Sequence, residues 1–109
     1  DAGLVHLKGL TKLGTLCLDN TQITDAGLAH LKGLTNLVHL QLADTPITDA
    51  GLESLKAMTL LTTLNLDNTE VTDDGVAELQ KAIFKERTRL HYSGDVRHRL
   101  ERPPVTITR

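Results

Sequence analysis

The sequence is nearly free of aromatic residues and of cysteine. Phe84 and Tyr92 are the only aromatic residues among 109, tryptophan is absent, and Cys17 is the single cysteine. The core must therefore be aliphatic, and a disulfide within the chain is excluded. The chain also lacks an apolar run of the roughly 20 residues that a membrane-spanning helix needs, so membrane insertion is not expected.

Arginine is absent from residues 1–84, which carry five lysines and eleven acidic residues. Residues 85–109 carry seven basic and three acidic residues instead. An acidic body argues against nucleic acid as a partner, because phosphate binding requires a basic face. The basic end is expected to be solvated or to fold against the acidic part.

A 24-residue repeat accounts for most of what is present. The pattern Thr-Asp-x-Gly followed by Leu or Val begins at Thr24, Thr48 and Thr72, and Asp1 lies one residue into a period. Repetition at this spacing predicts a solenoid whose turns bury their apolar faces on one another. The start inside a period leads us to expect a fragment of a longer protein.

Each period has a helical part and a strand part. In the helical part Leu28, Leu31 and Leu34 share one face, a threonine occupies the N-cap position, and Gly33 is expected to end the helix in the left-handed conformation. In the strand part Leu16 and Leu18 alternate with polar residues, as in a half-buried strand. Strands joined through helices run parallel.

The strand part, Leu-x-x-Leu-x-Leu-x-x-Thr-x-Ile, resembles the consensus of the leucine-rich repeat family. The Ile-Thr-Asp-x-Gly-Leu continuation is similar to bacterial repeats and to the cysteine-containing repeats of F-box receptors. Over residues 1–84 the resemblance implies an α/β solenoid: a right-handed βα superhelix with a parallel sheet on the concave face and short helices on the convex face. Thr21, Thr45 and Thr69 stand where the family often has Asn.

The repeat pattern is lost after Phe84. We predict a repeat domain over residues 1–92, with Arg87–Tyr92 as its last strand and Phe84 covering the end of the core. Residues 93–109 form a basic, proline-containing tail. Val105–Thr108 alternate like a short strand, but a flexible tail is the favoured prediction.

The outward strand positions and the residues after them are the candidate partner-binding site on the concave face. Four strands about 4.8 Å apart give a face only about 15 Å across. The candidates are Thr15, Cys17, Asp19, His39, Gln41, Asp44, Thr63, Asn65, Asp67 and Arg89.

Motifs for catalysis, for cofactor binding and for structural metal sites are missing from the sequence. An aligned set of Asp19, Asp44 and Asp67 is the alternative that would hold Ca²⁺, although turn formation explains these residues better. His6 and His30 occupy one repeat position and are interpreted as outward helix residues. Cys17 is interpreted as an inert thiol.

Three functions remain open at this point. The leading hypothesis is a non-catalytic module that binds a protein or peptide on the concave face. The alternatives are a structural spacer between domains and a substrate-targeting appendage of a larger enzyme, as in F-box-like ligase receptors. Self-association through uncapped solenoid ends is a further expectation.

Overall fold

The computed structural model describes residues 2–89 and 105–109. Its central feature is a parallel sheet of four short strands in the order β1-β2-β3-β4. The strands are β1 (Thr15–Cys17), β2 (His39–Gln41), β3 (Thr63–Asn65) and β4 (Thr106–Thr108). The predicted α/β solenoid with a parallel sheet is confirmed.

Three-residue spacing of the leucines selects tight helices between the strands. A 3₁₀-helix has three residues per turn, so positions i and i+3 fall on the same side. The segments Ala2–Leu7, Ala29–Leu31 and Asp49–Leu55 are 3₁₀-helical, and the α-helical turn α1 (Asp25–Leu28) precedes the second of them. None of the described glycines has a positive φ, so the left-handed helix end predicted at Gly33 is wrong.

The last helix, α2 (Asp73–Arg89), has a different spacing and a different length. Leu79, Ile83 and Arg87 are four residues apart and all three are buried, which matches the 3.6-residue period of an α-helix. The helix runs through positions where the repeat would place a strand. The prediction of a final strand at Arg87–Tyr92 is therefore wrong for residues 87–89, and residues 90–92 lie outside the described residues.

The fourth strand comes instead from the segment predicted to be flexible. Thr106 pairs with Thr63, 43 residues earlier, whereas His39 and Thr63 are 24 residues apart. Alternation places Ile107 toward the core and Thr106 and Thr108 outward, as in a strand that packs one face on the core. The flexible-tail prediction is thus wrong for residues 105–109. The predicted boundary at residue 92 and residues 93–104 lie outside the described part.

An aliphatic core fills the space between the sheet and the helices. Most leucines of the second and third repeats are completely buried, among them Leu34, Leu40 and Leu64. Phe84 does not cover this core, because 62% of its surface is exposed; Leu79, Ile83 and Val105 contribute to the core at this end instead. The hydroxyl groups of the repeated threonines bond within their own turn, to the carbonyl three residues earlier: Thr21 to Leu18, Thr45 to Leu42 and Thr69 to Leu66.

The first turn of the solenoid is less covered than the turns that follow. Leu10 is 48% exposed, whereas its equivalent one repeat later, Leu34, is buried. Leu16 and Leu18 are likewise only half-buried, while Leu42, the equivalent of Leu18, is fully buried. The described N-terminal face of the solenoid therefore presents partly exposed leucine side chains and the outer edge of β1.

Candidate functional site

The three-residue strands create two columns of outward side chains on the sheet. The register pairs Thr15 with His39 and Thr63, and it pairs Cys17 with Gln41 and Asn65. The residue between the two columns points into the core in each strand. We define the open sheet face by its eight outward residues: Thr15, Cys17, His39, Gln41, Thr63, Asn65, Thr106 and Thr108.

Six of the predicted site residues thus lie together on this face. The fourth member of each column is Thr106 or Thr108, which sequence reasoning assigned to the tail. Arg89 was predicted for this place, but it ends helix α2 and does not belong to the sheet. The alternation Val105-Thr106-Ile107-Thr108 is the signal that identifies the correct strand.

The acidic candidates lie in the loops directly after the strands. Asn20, Asp44 and Asn68 hold positive φ angles of 58° to 59° there. Short polar side chains tolerate this conformation, which explains the Asn or Asp at this repeat position. The equivalent of Asp19 in the next turn is Ala43, so the three aspartates do not form a single column.

Several of these polar side chains have a structural role in addition to any binding role. The amide of Ala43 donates to Asp19 Oδ1 at 2.8 Å. The side-chain amide of Asn68 donates to Asp44 Oδ1 at 2.6 Å. Asn65 Oδ1 accepts from the Asp67 amide at 2.9 Å and from the Thr108 hydroxyl at 3.1 Å. Substitution of Asp19, Asp44 or Asn65 would therefore disturb contacts between or within turns.

Six other candidates have side chains that are not used in the internal hydrogen bonds of the described residues. Thr15, Cys17 and His39 are exposed, Gln41 and Thr63 are half-buried, and Asp67 is exposed. A partner can therefore engage these six side chains without breaking an internal hydrogen bond of the described residues. Five of these candidates belong to the open sheet face, and the sixth lies in the loop after β3: Thr15, Cys17, His39, Gln41 and Thr63 on the face, and Asp67 in the loop.

Within residues 2–89 and 105–109, no group of three or more His, Cys, Asp or Glu side chains is placed to hold a metal ion. Asp19 and Asp44 each commit one oxygen to a donor of the next turn. No helix among the described residues has both the length and the apolarity to cross a membrane.

A second set of aspartates links successive turns on the helical side. Asp25 accepts from the Thr48 amide at 2.9 Å and from its hydroxyl at 2.5 Å. Asp49 accepts from the Thr72 amide at 2.8 Å and from its hydroxyl at 2.6 Å. We call these contacts the Asp–Thr ladder. The hydroxyls of Thr48 and Thr72 also accept from Ala50 and Gly75 amides, as N-caps do.

The ladder changes the electrostatics of Asp49 and restricts the residue beside it. The hydrogen bonds from the Thr72 hydroxyl and amide lower the pKa of Asp49, and the positive charge of Arg109 adds to this effect. A methyl group on Gly75 would collide with the Asp49 carboxylate, and one on Gly51 would collide with that of Asp25. The Thr-Asp-x-Gly motif is therefore an inter-turn contact as well as a helix start.

Two arginines supply donors at the C-terminal end of the solenoid. Arg109 donates from Nε to Asp73 Oδ1 at 2.7 Å and from Nη1 to the Val71 carbonyl at 2.9 Å. Asp73 occupies the repeat position of Asp25 and Asp49, but it accepts from a guanidinium where those two accept from a threonine. Arg87, only 5% exposed, donates to the carbonyls of Thr59 and Leu61 at 2.8 and 3.0 Å. Thr11 occupies the repeat position of Thr59 in the first turn, and its carbonyl accepts from the side-chain amide of Asn36 instead of from an arginine.

The helical side also has an open cleft, of about 220 Å³, between Asp49–Leu55 and α2. Its rim includes Asp74 and Glu78, while Glu53 is paired with Lys56 at 2.7 Å. The apolar floor is formed by Leu52 and Leu79, which are almost completely buried. The cleft therefore offers a partner very little exposed apolar surface.

Comparison with known proteins identifies similarity to repeat proteins. The model of a family described as Leucine Rich repeat matches residues 33–56 and 57–79. An internalin from Listeria monocytogenes has a similar structure, with a TM-score of 0.61 and 33% sequence identity. The similarity covers 71% of this chain and 22% of the internalin, so the chain spans about a fifth of that protein's length. No curated protein matches the sequence.

Proposed function

Because the chain is a leucine-rich repeat protein, we propose that it is a non-catalytic module that binds a polypeptide on the open sheet face. In a solenoid the aliphatic positions are consumed by packing between turns, so recognition has to use the outward positions. The observation that carries the proposal is the aligned pair of polar columns, most of whose side chains take no part in the internal hydrogen bonds of the described residues, with His39 and Gln41 at their centre.

The chemistry of the face favours a polar polypeptide segment as the ligand. The two columns contain hydroxyl, amide, thiol and imidazole groups and no Lys, Arg, Asp or Glu. Such groups donate and accept hydrogen bonds at fixed spacing, about 4.8 Å between strands. Asp67 and the neighbouring loop aspartates add negative charge along one edge, which suits a segment with basic residues on that side.

The test is capture of partners with the folded chain and with surface variants. His39→Ala combined with Gln41→Ala removes the centre of the face without breaking an internal hydrogen bond. Lys32→Ala combined with Lys85→Ala is the matched control, because both lysines are exposed and lie outside the sheet, Lys32 directly after the 3₁₀ segment Ala29–Leu31 and Lys85 in α2. Partners that bind the open sheet face will be lost with the first pair and retained with the second. If every captured partner is retained by both double variants, the open sheet face is not the binding surface.

A structural spacer is the second candidate, and it predicts a different outcome. A spacer needs only the length and rigidity of the solenoid, so no partner should depend on His39 or Gln41. The targeting appendage of a larger enzyme is a special case of the binding module. It would require a catalytic or adaptor domain in the same protein.

Self-association is proposed for the N-terminal face. The partly exposed Leu10 and the outer edge of β1 form a surface that a second copy can cover. We expect the apparent mass to rise with protein concentration in light scattering. A monomeric mass at all concentrations would exclude this association.

A further inference from the structure

The fourth strand is added to the sheet from outside the repeat register. The main-chain bonds between β3 and β4 reproduce those of the earlier strands: Leu66 N donates to Thr108 O at 2.7 Å, as Leu18 N does to Gln41 O at 2.8 Å. The Thr106 amide donates to the Thr62 carbonyl at 2.9 Å. The edge of β3 thus binds residues 105–109 as it would bind the strand of a following repeat.

Side-chain contacts give this edge a defined preference beyond the main chain. Val105 is 4% exposed and belongs to the core, and the Gln80 side-chain amide donates to its carbonyl at 3.0 Å. Ile107 occupies the column of Leu40 and Leu64. The edge therefore accepts an extended segment with apolar residues at alternate positions.

Polar contacts fix the far end of the same segment. The Thr108 hydroxyl donates to Asn65 Oδ1 at 3.1 Å. The Arg109 guanidinium pairs with Asp73, at 2.5 Å from Nη2, and also reaches the Val71 carbonyl. The preferred occupant is consequently a strand of the pattern apolar-Thr-apolar-Thr-Arg.

We propose that the edge of β3 is a strand-acceptor site that also binds residues 105–109 of a second copy of this chain, in place of its own strand. The contacts given above join the segment to β3, to the residues that flank this strand and to Asp73 and Gln80 of α2, so a strand from another copy can make all of them. The chain's own residues 105–109 have one advantage over those of a second copy. They are tethered, so their effective concentration at the edge of β3 is of millimolar order. Exchange of an identical element between copies is a low-cost route to dimers, and strand addition to an open edge is an established mode of peptide recognition.

The test uses the full-length chain with its own strand weakened and a labelled peptide of the sequence of residues 105–109. Ile107→Ser combined with Arg109→Ala removes the apolar and ionic contacts of the own strand and opens the edge. Fluorescence polarisation should show about tenfold tighter peptide binding to this variant than to the parent chain, because the competing strand is populated less. A control peptide with Thr106→Pro lacks the N–H that donates to Thr62 and should bind neither protein.

Two results would overturn the strand-acceptor site: a folded double variant that binds no better than the parent chain, or equal binding of both peptides. If circular dichroism shows that the double variant is unfolded, Arg109→Ala alone should give a smaller gain, and no gain refutes the site. His39→Ala should leave peptide affinity unchanged. Failure of the open sheet face and failure of the strand-acceptor site are therefore distinguishable.

Discussion

The Asp–Thr ladder makes a sharp prediction about one glycine, Gly75. In an ordinary helix the change of glycine to alanine is stabilising by about 1 kcal/mol. In Gly75→Ala the new methyl group would meet the Asp49 carboxylate, which must then leave its position under the Thr72 amide and hydroxyl. Two hydrogen bonds to a charged group are lost, each contributing about 1 kcal/mol or more after screening by solvent.

The gain in helix propensity and the loss of the hydrogen bonds to Asp49 oppose each other, and the loss is the larger of the two. We expect Gly75→Ala to lower the free energy of unfolding by about 1 to 2 kcal/mol, or the melting temperature by roughly 5 to 10 °C for a domain of this size. Gly33→Ala is the matched control, because nothing lies within 4 Å of its added methyl group and its φ is not positive. The control should be neutral or stabilising by up to about 1 kcal/mol.

Thermal unfolding followed by circular dichroism measures both variants. A double-mutant cycle adds the decisive comparison, since in an Asp49→Ala background the Gly75→Ala change has no carboxylate to displace and should no longer destabilise. Equal effects of Gly75→Ala and Gly33→Ala, or a cost that persists without Asp49, would refute the role assigned to the ladder.

Two further predictions concern charged groups. Arg87→Ala should lower the free energy of unfolding by about 3 kcal/mol or more, because the carbonyls of Thr59 and Leu61 lose hydrogen bonds from a charged donor. The control Lys85→Ala removes an exposed side chain and should change the free energy of unfolding by less than about 0.5 kcal/mol. Similar denaturant midpoints for the two variants would contradict the role of Arg87. The lowered pKa of Asp49 means that its contribution to stability is fully present above its unfolded pKa and is lost as the pH falls through the lower folded value. Unfolding measured from pH 6 to pH 2 should therefore show an acid-induced loss below about pH 4 that is smaller in Asp49→Asn, and identical profiles would count against the ladder.

The regular part of the fold was predictable because packing repeats with the sequence. The 24-residue period places His39, Gln41 and their neighbours in columns, and the strand register confirms this arrangement. The constant three-residue spacing of Leu28, Leu31 and Leu34 also suits the 3₁₀ turns, since a period of three residues aligns positions i and i+3 directly.

The C-terminal end was not predictable from the same pattern. Helix α2 continues through residues 87–89 because Leu79, Ile83 and Arg87 keep a helical spacing, which displaces the strand to residues 106–108. Arginine is rarely buried, so nothing in the residue type indicates that Arg87 lies over the carbonyls of Thr59 and Leu61.

The ladder was missed for a different reason. Thr48 was correctly predicted as a helix cap, but its bond to Asp25 depends on the stacking of two turns, 23 residues apart. The same holds for the bonds that Asp19, Asp44 and Asn65 make to the next strand or turn. From the sequence these residues were predicted to bind a partner, and the aspartates also to form turns. Only the three-dimensional alignment of the turns distinguishes side chains that bond to a neighbouring turn from side chains that are available to a partner.

Protection of Cys17 is the most direct test of the open sheet face as a binding surface. This thiol is the only cysteine of the chain, it is exposed, and it lies beside Gln41 in the second column. Its rate of alkylation by a maleimide should fall severalfold when a captured partner is bound, while a thiol placed on the helical side by Cys17→Ser with Lys32→Cys should react at an unchanged rate. An unchanged rate at Cys17 together with protection of the helical thiol would contradict the account.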